Sequence, residues 1–223
     1  MTEIIAEIAN AHQGSVTNAE KLAIDCLKSG ADAVKFQIYF ADELLVKTHP
    51  RYEHFKNQSF SAVQWKKLIS KVKKKGKVYC DIFGEKAFKI AKKLQVDGYK
   101  IHSSDLINHH LLKKVSKENK KIFLSTGGSR FSEISYALKY FKNSKIKPIL
   151  LHGFQSYPTK VEDSKLLRIN FLKKNFGHIS DIGYQDHCDG KSEEGYLIPS
   201  MSIALGTKII EKHITLDRNR NGF

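Results

Sequence analysis

Proline and cysteine are scarce in this sequence: four prolines and three cysteines among 223 residues. Few prolines and 41% hydrophobic residues describe a folded chain, because enough apolar surface can be buried to offset the entropy of ordering it. Cys26, Cys80 and Cys188 are odd in number and far apart, with no CxxC pair to suggest zinc or a redox couple. They fit a reducing cytoplasm. The N-terminal "MTEIIAEIANAHQG" carries an acidic Glu3, no basic opening and no long apolar core, so neither an export signal nor a membrane span is expected. A GxGxxG turn is missing too, which argues against a dinucleotide-binding sheet.

What the sequence has in excess is positive charge, a formal +15. Such a field attracts nucleic acid, anionic membranes or acidic substrates alike. The densest run, "KKLISKVKKKGK" (66–77), interleaves its lysines with Leu68, Ile69 and Val72 at helical spacing. These cations occupy the solvated side of an amphipathic helix. No aromatic-basic signature accompanies them, so no nucleic acid partner is expected. An anionic small molecule remains.

Short apolar runs alternate with amphipathic stretches at a spacing suited to βα units. Strands are expected at 4–8, 33–38, 78–83, 98–102, 121–125, 148–152, 179–184 and 208–214. Helices are expected to start near Thr17, Ser61, Glu85, Ile107, Ser132, Glu162 and Gly195. The pattern predicts a (β/α)8 TIM barrel over 1–223, a single domain with eight strands and seven helices. The connection 39–60 is long for a barrel loop and sits on the face where barrel sites form.

The strand ends are polar: Glu7, Lys35 with Gln37, Asp81, Lys100, Ser125, His152, His187 just past strand seven, and Glu211 with His213. A lysine at one strand end ordinarily pairs with a nearby carboxylate, and a single histidine is ordinarily a satisfied core residue. So many together at one barrel mouth point instead to a site, since interior charges are costly to desolvate. Lys35 and Lys100, with the hydroxyls of Ser103, Ser104, Ser125 and Thr126 and the backbone of "STGG" (125–128), form a cradle for phosphate or carboxylate oxygens. His187 and His213 come from adjacent strands and suit one divalent cation, with positions left for water and substrate. Glu7 and Glu211 are candidates for proton transfer or for orienting a hydroxyl. Glu211 and His213 alternate with Lys212, so the first two point into the mouth and Lys212 away from it.

Seven segments, in order along the chain, resemble the sialic acid synthase family: "AEIANAHQG" (6–14), "KFQ" (35–37), "YKIHSSDL" (99–106), "STGG" (125–128), "LLHGFQSYPT" (151–159), "GYQDH" (183–187) and "ALGTKIIEKHITLD" (204–217). The resemblance implies a (β/α)8 catalytic barrel that condenses phosphoenolpyruvate with an N-acetylmannosamine-like aldose, giving a nonulosonic acid and phosphate with a divalent metal, manganese or magnesium. It implies that Lys35, Lys100, Ser103 and Ser125 hold phosphoenolpyruvate, that Gln155 stands in this chain where the family has an asparagine-type phosphoenolpyruvate contact, and that Gln37 binds substrate. Tyr157 and Asp186 would line the sugar side, His187 and His213 would bind the metal, and Glu7 and Glu211 would manage sugar hydroxyls and the attacking water.

Against the family pattern, this chain has Ala11-His12 in place of an Asn-His pair, Gln185 in place of a serine before Asp-His, and Asp81 in place of a threonine after strand three. Family members also continue past strand eight into a last barrel helix, a linker and a small antifreeze-like domain that reaches the partner subunit's site. The resemblance therefore implies a homodimeric full-length protein and reads "DRNRNGF" as a barrel cut after strand eight, with the eighth helix missing. An alternative expectation is a truncated barrel that binds phosphoenolpyruvate or sugar but is catalytically weak.

Overall fold

The computed structural model describes residues 1–219. The expected end of the chain short of an eighth helix falls partly on 220–223, outside the described residues. In chain order the elements are β1 (Glu3–Glu7), α1 (Val16–Lys28), β2 (Ala33–Ile38), α2 (Ala41–Leu44), α3 (Tyr52–Gln58), α4 (Ala62–Val72), β3 (Lys77–Ile82), α5 (Gly84–Lys93) and β4 (Gly98–Ile101). Then follow α6 (His109–Val115), β5 (Lys121–Ser125), α7 (Phe131–Lys139), β6 (Ile149–His152), α8 (Arg168–Phe176), β7 (Asp181–Asp186), α9 (Glu194–Ala204) and β8 (Ile209–His213). The strands close a barrel in the order β1 to β8, each beside its sequence neighbour, and the pairings β2 to β3 and β5 to β8 through their neighbours are parallel. The (β/α)8 class expected from the alternation of patterns is the class found.

By packing, the chain forms two compact units. One comprises Ala6–Lys100 together with the segment that begins at Ile214; the other comprises Met1–Ile5 and Ile101–His213. In the first unit, α1 opens on Ser15, whose side chain accepts from the Asn18 N–H. Helix α4 opens on a reciprocal Ser61–Gln64 capping box. Such caps satisfy backbone donors that a helix start leaves without partners. The buried face of α4 is Trp65, Leu68, Ile69 and Val72, and its lysines 66, 67 and 71 are exposed. Trp65 meets Phe36 of β2 edge-on, with ring centroids 5.8 Å apart, and Phe88 of α5 meets Tyr99 of β4 at 5.4 Å. Alternation along a strand then turns Lys35 and Lys100 to the opposite face from Phe36 and Tyr99, away from the helices. The connection 39–60, expected as a loop, contains α2 and α3; short helices of four and seven residues leave little periodicity to read.

In the second unit, Glu3 donates its N–H to the Lys208 carbonyl. β7 runs two residues later than the sequence pattern predicts, ending at Asp186. Polar Gln185 and Asp186 read as loop, yet both are buried strand residues. The helix expected near Glu162 begins at Arg168, preceded by a single turn at 161–163. Helix α9 is apolar nearly all round, and Tyr196, Leu197, Met201 and Ile203 are exposed on it. Among the described residues no helix is long and apolar enough to cross a membrane.

Candidate active site

In the first unit the polar strand ends form a buried chain of charges. Lys35, 0% exposed, forms ion pairs with Glu7 of β1 and with Asp81 of β3, the latter at 3.4 Å. Lys100 of β4 reaches the same Asp81 oxygen, Oδ2, at 3.6 Å. The order Glu7, Lys35, Asp81, Lys100 follows the strand order, because register places Lys35 beside Tyr79 and both Asp81 and Lys100 one step along the same face. Gln37, opposite Asp81 in register, is partly exposed. The Ala9 N–H donates to Glu7 Oε1 at 2.7 Å, and Ala9 adopts a left-handed backbone to do so (φ 42°). Gln13 is left-handed as well (φ 50°), so the "ANAHQG" segment after β1 holds strained backbone of the kind that sites retain. His12 in this segment is buried against Phe60, and its Nδ1 accepts from the Gly14 N–H at 3.0 Å. Burial pushes its imidazole down to about 4, so it is neutral at pH 7.

In the second unit three rings gather. The His187 and His213 centroids are 5.2 Å apart, and Tyr157 lies 5.6 Å from the first and 5.0 Å from the second. The Tyr157 hydroxyl is pushed up to about 12, by burial first and then by Asp186 and Asp189. His187 Nδ1 lies 2.6 Å from the Phe154 carbonyl oxygen. A carbonyl only accepts, so the proton is on Nδ1 and the basic lone pair is on Nε2. That is the tautomer a metal-ligating imidazole requires when a backbone carbonyl orients it. Among the described residues no three His, Cys, Asp or Glu side chains gather as a metal cluster. Of the two expected metal ligands, His187 and His213, the structure brings the imidazole rings together as a pair.

Ser125 is fully buried at the end of β5, and Gln155 Nε2 donates to its Oγ at 3.3 Å. Close backbone approach builds this corner. A Cβ on Gly127 would stand 2.7 Å from the Gly153 carbonyl oxygen, and one on Gly153 would stand 2.5 Å from the Gln185 carbonyl oxygen. Ser103 lies in a single 3-10 turn, 103–105, after β4. Glu211 is buried and registers with Gln185, whose Oε1 is buried without a hydrogen-bond partner among the described residues.

Asp186 is placed differently from the expectation that it lines the sugar side. It registers with Lys212, on the face of the sheet opposite Gln185 and Glu211, and pairs with Lys212 there. The Tyr184 hydroxyl also donates to it, at 3.3 Å. Sequence alternation sent Lys212 away from Glu211 but gave no sign that Asp186 is its partner. Asp81 and Gln185, visible in the sequence as departures from a family pattern, received no role. Their signal was a polar side chain at a strand position that the fold buries.

These features define a closed parallel β/α barrel with ionisable side chains concentrated toward the C-terminal ends of its strands. The chain belongs to the NeuB family, whose model matches residues 23–223. It is 39% identical over 223 residues to an uncharacterized protein of Methanocaldococcus jannaschii, covering 99% of this chain and 64% of that protein. To the N-acetylneuraminate-9-phosphate synthase of Drosophila melanogaster it is 31% identical over 236 residues, covering 98% of this chain and 61% of the relative. The chain thus spans less than two thirds of the length of either. Among solved structures, it resembles the N-acetylneuraminic acid synthetase of Leptospira borgpetersenii in complex with citrate, with a TM-score of 0.89 and 31% identity over 97% of this chain and 74% of that one.

Proposed function

We propose that this chain is the barrel of a nonulosonic acid synthase, which joins phosphoenolpyruvate to the aldehyde of an N-acetylmannosamine-like sugar and releases phosphate. The observation that carries the reading is the buried lysine pair. A lysine is seldom buried without cause, and Lys35 and Lys100 share one carboxylate oxygen at strand ends. In this reading their ammonium groups hold the phosphate and carboxylate of phosphoenolpyruvate, with Gln37 and the hydroxyls of Ser103 and Ser125 completing the contacts. Gln155 acts through its hydrogen bond to Ser125.

Manganese or magnesium held by His187 and His213 would polarise the sugar aldehyde. Tyr157, packed on both imidazoles, offers a ring wall and a hydroxyl that keeps its proton at pH 7, so it donates to a sugar oxygen. The carbon–carbon bond forms between the methylene carbon of phosphoenolpyruvate and the aldehyde carbon. Water adds to the carbon that bears the phosphate, and the carbon–oxygen bond to phosphate then breaks. Glu211 and Glu7 are the carboxylates available to move the proton of that water and to orient sugar hydroxyls. Asp186, engaged by Lys212, contributes charge near the rings rather than a sugar contact.

The test is phosphate release from phosphoenolpyruvate by the chain with N-acetylmannosamine and manganese present, with the nonulosonic acid identified by mass. Sugar-dependent release that disappears in Lys100→Ala supports the reading. Release that is independent of sugar, or product formation unchanged in Lys100→Ala, overturns it.

A further inference from the structure

In the unit comprising Met1–Ile5 and Ile101–His213, charge is divided between the two ends of the strands. At the mouth end, the strand ends and the connections that follow them hold Arg130, Lys160, Lys165, Arg168, Lys191 and Lys212 with nine of the unit's twelve carboxylates. At the opposite end, where helices finish and strands begin, segments 113–121, 139–147 and 173–174 supply five, four and two lysines, and Lys208 is the twelfth. Only Glu3, Glu118 and Asp181 accompany them. This base therefore carries a formal +9 of the chain's +15, while the mouth end of the same unit is net negative.

Helix dipoles and ion pairs account for part of the excess. Lys113, Lys114, Lys139, Lys173 and Lys174 lie in the last turns of α6, α7 and α8, where the carbonyl ends of the helices favour cations. Lys121 and Lys208 form ion pairs with Glu3 and Asp181. The other five, Lys117, Lys120, Lys142, Lys145 and Lys147, belong to the connections 116–120 and 142–147. These connections touch, because the Ser144 hydroxyl donates to the Ser116 carbonyl at 3.0 Å. Lys147 Nζ in turn donates at 3.0 Å to the carbonyl of His178, in the connection between α8 and β7. Like charges gathered on adjoining loops repel one another, and no helix end requires them there. Two isoleucines stand in the same loops, Ile146 37% and Ile179 40% exposed. Lysines beside exposed isoleucines suit a partner that is anionic at its surface and apolar just beneath it. Arginine, the residue best matched to nucleic acid phosphates, is confined in this unit to Arg130 and Arg168 at the mouth.

We propose that the loops 116–120, 142–147 and 177–179 form a docking surface for a bilayer containing anionic phospholipid, with Lys117, Lys142, Lys145 and Lys147 over the headgroups and Ile146 and Ile179 entering the interface. Such docking is peripheral and requires no spanning helix. The lysine-rich run 66–77 belongs to the other unit and is not part of this surface. Strands β5 to β8 run parallel, so a base seated on lipid turns their C-terminal ends toward water, where solutes reach them. The inference stands apart from the reaction proposed above and goes beyond it.

The experiment is co-sedimentation of the chain with vesicles of phosphatidylcholine alone and of phosphatidylcholine mixed with phosphatidylserine, at physiological and at high salt. Wild type is expected to bind the anionic vesicles at least about tenfold more tightly than the neutral ones, and to lose that preference at high salt. Reversing two charges in Lys142→Glu/Lys145→Glu should weaken anionic binding by about tenfold or more, and Ile146→Ser/Ile179→Ser by about threefold or more. Lys66→Glu/Lys67→Glu on α4 makes the same change in net charge and should stay within about twofold of wild type. Equal affinity of wild type for both kinds of vesicle overturns the proposal, however the variants behave. Equal losses in the two lysine variants reduce the attraction to net charge and overturn the docking surface, as does an isoleucine variant that binds like wild type. Tighter binding to double-stranded DNA than to anionic vesicles, lost in Lys142→Glu/Lys145→Glu, gives the loops to nucleic acid and overturns the lipid.

Discussion

The two polar groups of this molecule are stabilised in opposite ways. Glu7, Lys35, Asp81 and Lys100 are almost fully buried, and each charge is met by another charge. Tyr157, His187 and His213 are partly or largely exposed, with Tyr157 at 48%; their rings touch one another, and His187 Nδ1 also meets the Phe154 carbonyl. An ammonium or carboxylate out of water needs an opposite charge at hand. An imidazole does not, because it is stable neutral and needs only its tautomer fixed. The first group is consequently part of the core as well as the site, and the second can be altered with little effect on folding.

The comparison is tested most severely at Lys35. Lys35→Met leaves Glu7 and Asp81 as buried carboxylates without their common partner, and should destabilise the protein by about 3–5 kcal/mol, the scale for breaking a buried pair by removing one member. Urea unfolding monitored by circular dichroism measures this. A loss below about 1 kcal/mol would mean the charge chain is not structurally coupled.

A smaller effect lies at His12, beside the same charges in sequence but buried neutral. Its folded value of about 4 is below the unfolded value of about 6.5, so the unfolded state binds the proton first. Stability is unaffected above pH 6.5 and falls as pH drops from 6.5 toward 4, by about 3 kcal/mol through this group. Burial lowers His152 also, adding to the same trend. Asparagine keeps an acceptor for the Gly14 N–H, so the unfolding free energy of His12→Asn should vary less between pH 6.5 and 4 than that of wild type. Parallel curves for the two proteins would place the acid sensitivity elsewhere.

In the ring group the effect should appear in binding. His187→Ala and His213→Ala should each weaken manganese affinity by roughly tenfold or more, a scale that even outer-shell partners of metal ligands reach, with unfolding midpoints close to wild type. Calorimetry and thermal melts separate the two readouts. Unchanged manganese affinity in both variants would remove the metal from this pair, and a collapsed melting curve would erase the contrast with the charge chain.

The smallest change belongs to the surface. Lys21 and Asp25 pair on α1 with side chains 61% and 45% exposed. Lys21→Ala should cost no more than about 0.5 kcal/mol, since water screens exposed helix pairs. A larger loss in the same urea assay would show that burial is not what separates Lys35 from other lysines.

Much of the barrel was legible because period-two and period-3.6 patterns report directly on which face of an element is buried. All eight strands lie within two residues of the sequence reading, and α1, α4, α5, α7 and α9 start within a residue or two of it. Where the pattern misled, polar residues were buried or helices were short: β7 reaches Asp186, α8 begins six residues late, and α2 and α3 went unseen. The residue types of the candidate site were readable at the strand ends, but their partners were not.

The amino-acid sequence by itself determined the alternation of strands and helices, the face each turns inward and the family the chain belongs to. All of these depend on residues close together in the chain or on motifs in order. Only the tertiary structure decided that Asp81 shares one oxygen between Lys35 and Lys100, that Asp186 turns to Lys212, and that the Phe154 carbonyl fixes the tautomer of His187. Each of these rests on strand register and loop closure between residues from 19 to 46 positions apart. A shift of one residue in register would turn every such side chain to the other face while leaving the local pattern unchanged.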